Sequence, residues 1–236
     1  MKFKEKVKNE FKIFREEISR LEYAFWWIAR IAMLYALLKA RRGDFAHDLV
    51  LQFWAKFLAS FILPAARLLP KKIFLARLPY RLQTAALFML SVTSVLGQFG
   101  GLYSSTEWFD LVMHVIGGFL GVMVGYMLTK TLDKDGESMT PVISAVSGFG
   151  LSLFFATAWE IFEFFTDTLI EGSNAQNWMV LSSERMIAFF PEVDPRRHVL
   201  FDTMTDLIAG VVGTTIGGTV LFFYLYFKNR KSRNNK

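Results

Sequence analysis

The chain alternates between long apolar runs and short charged stretches, and the runs have the length of membrane helices. Residues 82–102, 109–129, 141–165 and 203–227 each approach the roughly 20 apolar residues that cross the hydrocarbon core as a helix. Two earlier runs, 22–40 and 47–66, carry Arg30 and Lys56 near their middles. A charge at the bilayer centre costs roughly 2.5–3.5 kcal/mol on insertion scales. The expectation is that these two helices span with their charges facing protein or water, the alternative being a shallow re-entrant pair. Ahead of them, Phe3, Val7, Phe11, Phe14, Ile18 and Leu21 recur at steps of three and four among Lys, Arg and Glu. That period predicts a basic amphipathic helix over 1–21, lying in the inner headgroup layer rather than in bulk solvent.

The predicted fold is therefore all-α, a polytopic membrane helical bundle of about six transmembrane helices. Residues 1–21 form the interfacial helix, 22–227 a single transmembrane domain and 228–236 a basic tail. Composition agrees: 53% of the 236 residues are hydrophobic and 20% charged, with 25 Phe and 6 Trp. A soluble domain carries more charge. The charged stretch before Leu21 is followed by no small-residue cleavage pattern, so no cleavable signal peptide is expected.

Charge placement sets the expected orientation. Seven Lys and Arg lie in the first 20 residues, five in the 67–81 loop (Arg67, Lys71, Lys72, Arg77, Arg81) and five after Phe227. The positive-inside rule puts all three on the cytoplasmic side of a multi-pass chain, with both termini inside. Arg41 and Arg42, in the 40–46 link, argue mildly the other way. The net charge of +6 then points to anionic lipid headgroups, not nucleic acid. The outside receives the 103–108 loop and the long 168–200 loop, which holds Trp178, Phe189, Phe190, Pro191 and Pro195.

Candidate chemistry gathers in the last three spans. One opens with Asp110 and His114, the next ends with Glu160 and Glu163, and the last opens with Asp202 and Asp206. Glu160 stands 19 residues beyond Pro141, roughly 28 Å along a helix. Three separate stretches thus place ionisable groups at one depth, on the outer side. They also share faces with small residues: Gly117, Gly121 and Gly125 behind His114; Gly210, Gly213 and Gly217 behind Asp206; Ser144, Gly148 and Ser152 before Glu160. Small residues at helical spacing mark where membrane helices approach closely, so the carboxylates are expected to face the bundle interior.

Crowded carboxylates at low dielectric require protons or a cation. Asp110 and Asp202 also suit the N-terminal end of a helix dipole, but Glu160 and Glu163 lie near a C-terminus, where the dipole disfavours them. Their candidate positive partners are His114, Arg196, Arg197 or a divalent metal cation. Oxygen ligands with one imidazole suit Mg²⁺, Mn²⁺, Ca²⁺, iron or Zn²⁺. Asp110, His114, Glu160, Glu163, Asp202 and Asp206 are the expected metal-binding set. His47, Asp48 and His198 read as a helix cap and a solvated loop residue, and Arg30 and Lys56 as either snorkelling residues or neutralising partners of the cluster. The chain has no Cys, which excludes disulfides, thiolate metal sites and Cys nucleophiles. It shows no Gly-rich phosphate loop, Ser nucleophile elbow or HExxH.

The run Asp110-x-x-x-His114, Trp159-Glu160-x-x-Glu163-Phe164 and Asp202-Thr203-x-x-Asp206, with Gly210 and Gly213 following, resembles the YjdF-like family of uncharacterised bacterial membrane proteins. It is more distantly similar to VanZ-like proteins. The resemblance covers residues 82–227 and implies a multi-span bacterial membrane protein. The VanZ pattern has Gln where Glu163 stands and Asn where Asp206 stands, and its link to glycopeptide resistance is weakened by both departures.

Three function classes stay open at this stage. The leading one is metal-assisted hydrolysis or group transfer on an envelope lipid or cell-wall precursor. The others are a proton- or cation-coupled transporter and a non-catalytic membrane scaffold. A transporter is expected to show repeat symmetry or broken helices, and the sequence has neither. Membrane lipid is the expected partner, together with a lipid or small-molecule substrate.

Overall fold

A computed structural model describes residues 3–43, 47–106, 108–132, 139–170, 175 and 198–234. Among them there are helices and no strands. Their order is α1 (Phe3–Glu17), α2 (Arg20–Arg42), α3 (His47–Ala66), a 3₁₀ turn (Phe74–Arg77), α4 (Tyr80–Ser91), a π-helical segment (Val92–Phe99), the short α5 (Leu102–Ser105), α6 (Phe109–Leu132), α7 (Pro141–Leu169) and α8 (His198–Asn234). Among the described residues six helices are long and apolar enough to cross a membrane: α2, α3, α4 with its π continuation, α6, α7 and α8. Leu, Ile and Phe side chains stand exposed along them, among them Ile28 and Ile31 on α2, Phe154 and Phe162 on α7, and Ile208 and Phe223 on α8. An apolar surface of that extent belongs against lipid.

The contacts divide the chain into two units, residues 1–109 with 126–139 and residues 110–125 with 140–236. In unit 1, α2 starts with a capping box: Ser19 Oγ accepts from Glu22 N and Glu22 Oε2 accepts from Ser19 N. Each partner satisfies an amide that the first helical turn leaves unpaired. The box separates α1 from α2, so the amphipathic segment ends at Glu17 and does not run to Leu21. Phe3 and Phe11 remain exposed, but Phe14 and Ile18 are buried against Trp26 and Tyr80. The ring centroids of Phe14 and Trp26 lie 4.7 Å apart and those of Phe14 and Tyr80 4.9 Å apart. α1 is thus packed on the helices of its unit as well as amphipathic.

Ions complete that attachment. Glu10 is buried and accepts from Arg67 Nε at 3.0 Å and Lys71 Nζ at 2.8 Å. Arg67 also pairs with Glu17 at 3.6 Å and lies over the Tyr80 ring at 4.4 Å. Burial pushes the Glu10 carboxyl up, but the hydrogen bonds and charges of Lys71 and Arg67 outweigh it and hold the group below its ordinary value.

Arg30 is buried mid-way along α2. Its guanidinium stands 4.6 Å from the ring centroids of both Trp26 and Phe61, and its N–H groups donate to the carbonyls of Trp26 and Ser60. The second acceptor has a covalent origin. Pro64 lies inside α3 and has no N–H, so the Ser60 carbonyl four residues earlier loses its helical donor. Arg30 supplies one from the neighbouring helix. Lys56, one turn before Ser60 on the same face, donates to Gln98 Oε1 at 3.1 Å, and Gln98 Nε2 donates to Gln52 Oε1 at 2.6 Å. The partners of Arg30 are all in unit 1. Gln98 lies in the π-helical segment, whose end is turned by Gly101 at φ 73°, a left-handed conformation that suits glycine.

In unit 2, α7 begins at Thr140, whose hydroxyl accepts from Ile143 N at 3.2 Å, with Pro141 at the first helical position. The first sixteen residues of this unit belong to α6, and they lie against α8 with almost no space between backbones. A Cβ built on Gly213 would stand 2.0 Å from the Val115 carbonyl oxygen, and one on Gly118 2.3 Å from the Gly210 oxygen. On the α7 side, a Cβ on Gly121 would meet Ser152 Oγ at 2.5 Å and one on Gly125 would meet the Gly148 oxygen at 2.9 Å. No side chain fits at these positions. On α6 it is Gly118, beside the expected Gly117, that meets the α8 backbone.

Candidate functional site

The three helices of unit 2 carry one repeating face each. It runs Asp110, His114, Gly118, Val122 on α6; Ser144, Gly148, Ser152, Ala156, Glu160 on α7; and Asp206, Gly210, Thr214, Gly218 on α8. Every step is four residues, which keeps the positions on one side of a helix. Midway, Ser152 Oγ donates to the Gly118 carbonyl at 2.8 Å and lies 2.8 Å from Thr214 Oγ1. With the Ser152 proton used on that carbonyl, Thr214 donates to Ser152, and one hydroxyl pair ties the three helices together. Thr214 escaped the sequence reading, although its place on the Asp206–Gly210 stripe was visible.

Because glycines bring α6 and α8 together, the polar ends of those faces meet. His114 Nε2 lies 3.6 Å from Asp110 Oδ1 and 3.8 Å from Asp206 Oδ2, and His114 Nδ1 lies 3.9 Å from Glu160 Oε1. None of these is a hydrogen-bond length. Glu160 is 4% exposed and Asp206 2% exposed. Both Glu160 oxygens and Asp206 Oδ2 are buried with no hydrogen-bond partner among the described residues. A buried charged oxygen left without a donor is costly. Asp110, His114 and Asp206 each offer one ligand atom, and the three atoms lie within 4.8 Å of one another.

The other two expected residues are placed differently. Glu163, one turn beyond Trp159, accepts from the Trp159 indole Nε1 at 2.7 Å. It makes no ion-pair contact within 4 Å of His114 among the described residues. Asp202 lies one turn before Asp206 on α8, and its backbone oxygen accepts from Thr205 Oγ1 at 2.9 Å. Asp167 accepts from the Ala175 amide at 2.7 Å. Arg196 and Arg197, with Trp178, Phe189, Phe190, Pro191 and Pro195, lie outside the described residues, as do the side chains of His47, Asp48 and His198.

Comparison with known proteins places the chain without assigning it chemistry. A protein of Thermotoga maritima described as an uncharacterized protein is 28% identical over 144 residues, which is 61% of this chain and 62% of the relative. The match therefore spans less than two thirds of that relative's length. No solved structure matches. Neither result bears on the VanZ likeness. A family profile for DUF2238, described as a predicted membrane protein, matches residues 22–229; the match reaches all six apolar helices and the carboxylate–histidine group, and the chain belongs to that family.

Proposed function

We propose that unit 2 binds a divalent cation between Asp110, His114 and Asp206, at the outer end of its helices in the cytoplasmic membrane. One observation carries the reading: both carboxylate oxygens of Glu160 and Oδ2 of Asp206 are buried beside His114 and have no hydrogen-bond donor among the described residues. A neutral imidazole does not offset several carboxylates, whereas a doubly charged ion does. Ligand atoms about 2.1 Å from an ion stand about 3–3.5 Å from each other. The observed 3.6 and 3.8 Å between His114 Nε2 and the two aspartates are near that spacing and too long for direct hydrogen bonds. The outward placement rests on the basic segments 1–20, 67–81 and 228–236, which belong to the cytoplasmic side. An ion held there supports metal-assisted hydrolysis or group transfer on an envelope lipid or small molecule, by activating water and polarising the attacked group. The long, lipid-facing helices around it favour a substrate that reaches the site from the membrane.

The test is metal content and thermal stability of the purified chain in detergent. The wild type is expected to carry metal, to lose stability with chelator and to regain it with a divalent ion, by about 2.7 kcal/mol at a hundredfold excess over Kd. Asp206→Asn and His114→Ala are each expected to remove most of that response. A wild type that holds no metal and does not respond to Mg²⁺, Ca²⁺, Mn²⁺ or Zn²⁺ overturns the reading.

A further inference from the structure

The ring of His114 presents its two nitrogens to different groups. Nε2 faces Asp110 and Asp206, which come from α6 and α8, while Nδ1 faces, among the described residues, Glu160 of α7. Glu160 is not one of the three residues whose ligand atoms converge. Building on the cation site of the preceding subsection, we propose that Glu160 is not a ligand but the positioning residue of His114: it accepts a hydrogen bond from Nδ1–H and so holds the tautomer in which Nε2 offers its lone pair to a first-row transition metal.

The chemistry leaves few other roles for this side chain. A neutral imidazole carries one proton, and a metal-bound nitrogen must be the other one. The N–H opposite a bound metal needs an acceptor, and metal-binding histidines find it in a carboxylate or a carbonyl. Around His114 that acceptor is Glu160 Oε1, which is buried, has no partner among the described residues and stands 3.9 Å away. Closing to a hydrogen bond takes a shift of about 1 Å. Glu160 is held on its own helix, which the Ser152–Thr214 pair anchors to the other two, so its position does not depend on the metal. Glu163 makes no such approach to His114 among the described residues, and its Oε1 accepts from Trp159. The metal class follows from the ligand set. Two carboxylates and a tautomer-locked imidazole favour manganese, iron, cobalt or zinc over magnesium and calcium, which prefer oxygen alone.

Cobalt binding to the full chain in detergent tests this, with affinity measured by chelator competition and the ligand set by visible absorption. Glu160→Ala is expected to bind Co²⁺ roughly 10–100-fold more weakly with an unchanged spectrum, because the ligands are retained. Glu160→Gln, whose carbonyl still accepts from Nδ1–H, is expected to recover much of the affinity. If Glu160→Ala does not fold, Glu160→Gln alone decides: an unchanged spectrum supports the positioning role. A shifted spectrum in either variant makes Glu160 a ligand, and unchanged affinity in Glu160→Ala removes it from the site; each overturns the proposal. Mg²⁺ or Ca²⁺ binding as tightly as Co²⁺ overturns the metal class. A wild type that binds none of these ions instead sinks the cation site itself.

Discussion

In unit 1, the buried Glu10 receives hydrogen bonds from Arg67 and Lys71 at 3.0 and 2.8 Å. In unit 2, the equally buried Glu160 receives none on either oxygen from the described residues. Unit 1 also meets most of its buried cation from within: Arg30 uses two aromatic faces and two carbonyls, one of them freed by Pro64. What this unit leaves without a hydrogen-bond partner among the described residues is Arg30 Nε, Arg77 Nε, Gln83 Oε1 and Ser94 Oγ, with no carboxylate oxygen among them. Unit 2 packs its backbones more tightly, with glycines and hydroxyls at the contacts, and leaves carboxylate oxygens over. A buried group that the fold satisfies serves the fold. A buried group that the fold leaves unsatisfied is a drain on stability unless something outside the chain meets it.

That contrast is broken most severely by giving unit 1 an orphan of its own. Glu10→Gln keeps the shape but leaves Arg67 charged, buried and short of its main partner. The expected loss is about 3–5 kcal/mol of unfolding free energy in detergent, the range for one partner of a buried pair. The pH dependence has a definite sign. The Glu10 carboxyl is held below its ordinary value of 4.5, so its contribution is fully present above that pH and is lost as pH falls through the folded-state value. The gap between wild type and Glu10→Gln is expected to stay constant near neutrality and to narrow below about pH 4.

Next in size is a change to the seam of unit 2. Gly213→Ala places a methyl 2.0 Å from the Val115 oxygen and must push α6 from α8. The expected cost is about 1–3 kcal/mol, together with loss of the cation-dependent rise in Tm, because Asp110 and His114 move away from Asp206. Gly150→Ala is the control. Its Cβ would meet nothing within 4 Å, so Tm is expected to stay or to rise through the better helix propensity of alanine. Equal losses in the two variants would mean that the close approach does not set the site.

The smallest effect separates the two roles of Arg30. Pro64→Ala restores an N–H to the Ser60 carbonyl, so Arg30→Met is expected to be milder in that background by about 1 kcal/mol, the net value of one hydrogen bond. A double-mutant cycle measures this coupling directly. A coupling of zero would show that the aromatic faces of Trp26 and Phe61 alone hold the guanidinium.

Much of this was visible along the chain. Hydrophobic run length marked six membrane helices because a backbone in lipid must satisfy itself and therefore coils. The four-residue steps from Asp110 to Gly118 and from Asp206 to Gly210 announced the faces that meet, since helical period is a property of local geometry. Other features depended on which helices become neighbours. No spacing shows that Arg30 answers the carbonyl freed by Pro64, 34 residues away, or that α1 is attached through Glu10 to Arg67. Glu163 and Glu160 were alike in sequence, one turn apart near the same helix end. Tertiary structure distinguished them, bringing Glu160 to 3.9 Å from His114 while Glu163 accepts from Trp159 of its own helix. Sequence determines where polar groups lie around each helix; which of them find a partner is decided only when helices pack, because a hydrogen bond requires two groups within about 3 Å and the chain order does not record that distance.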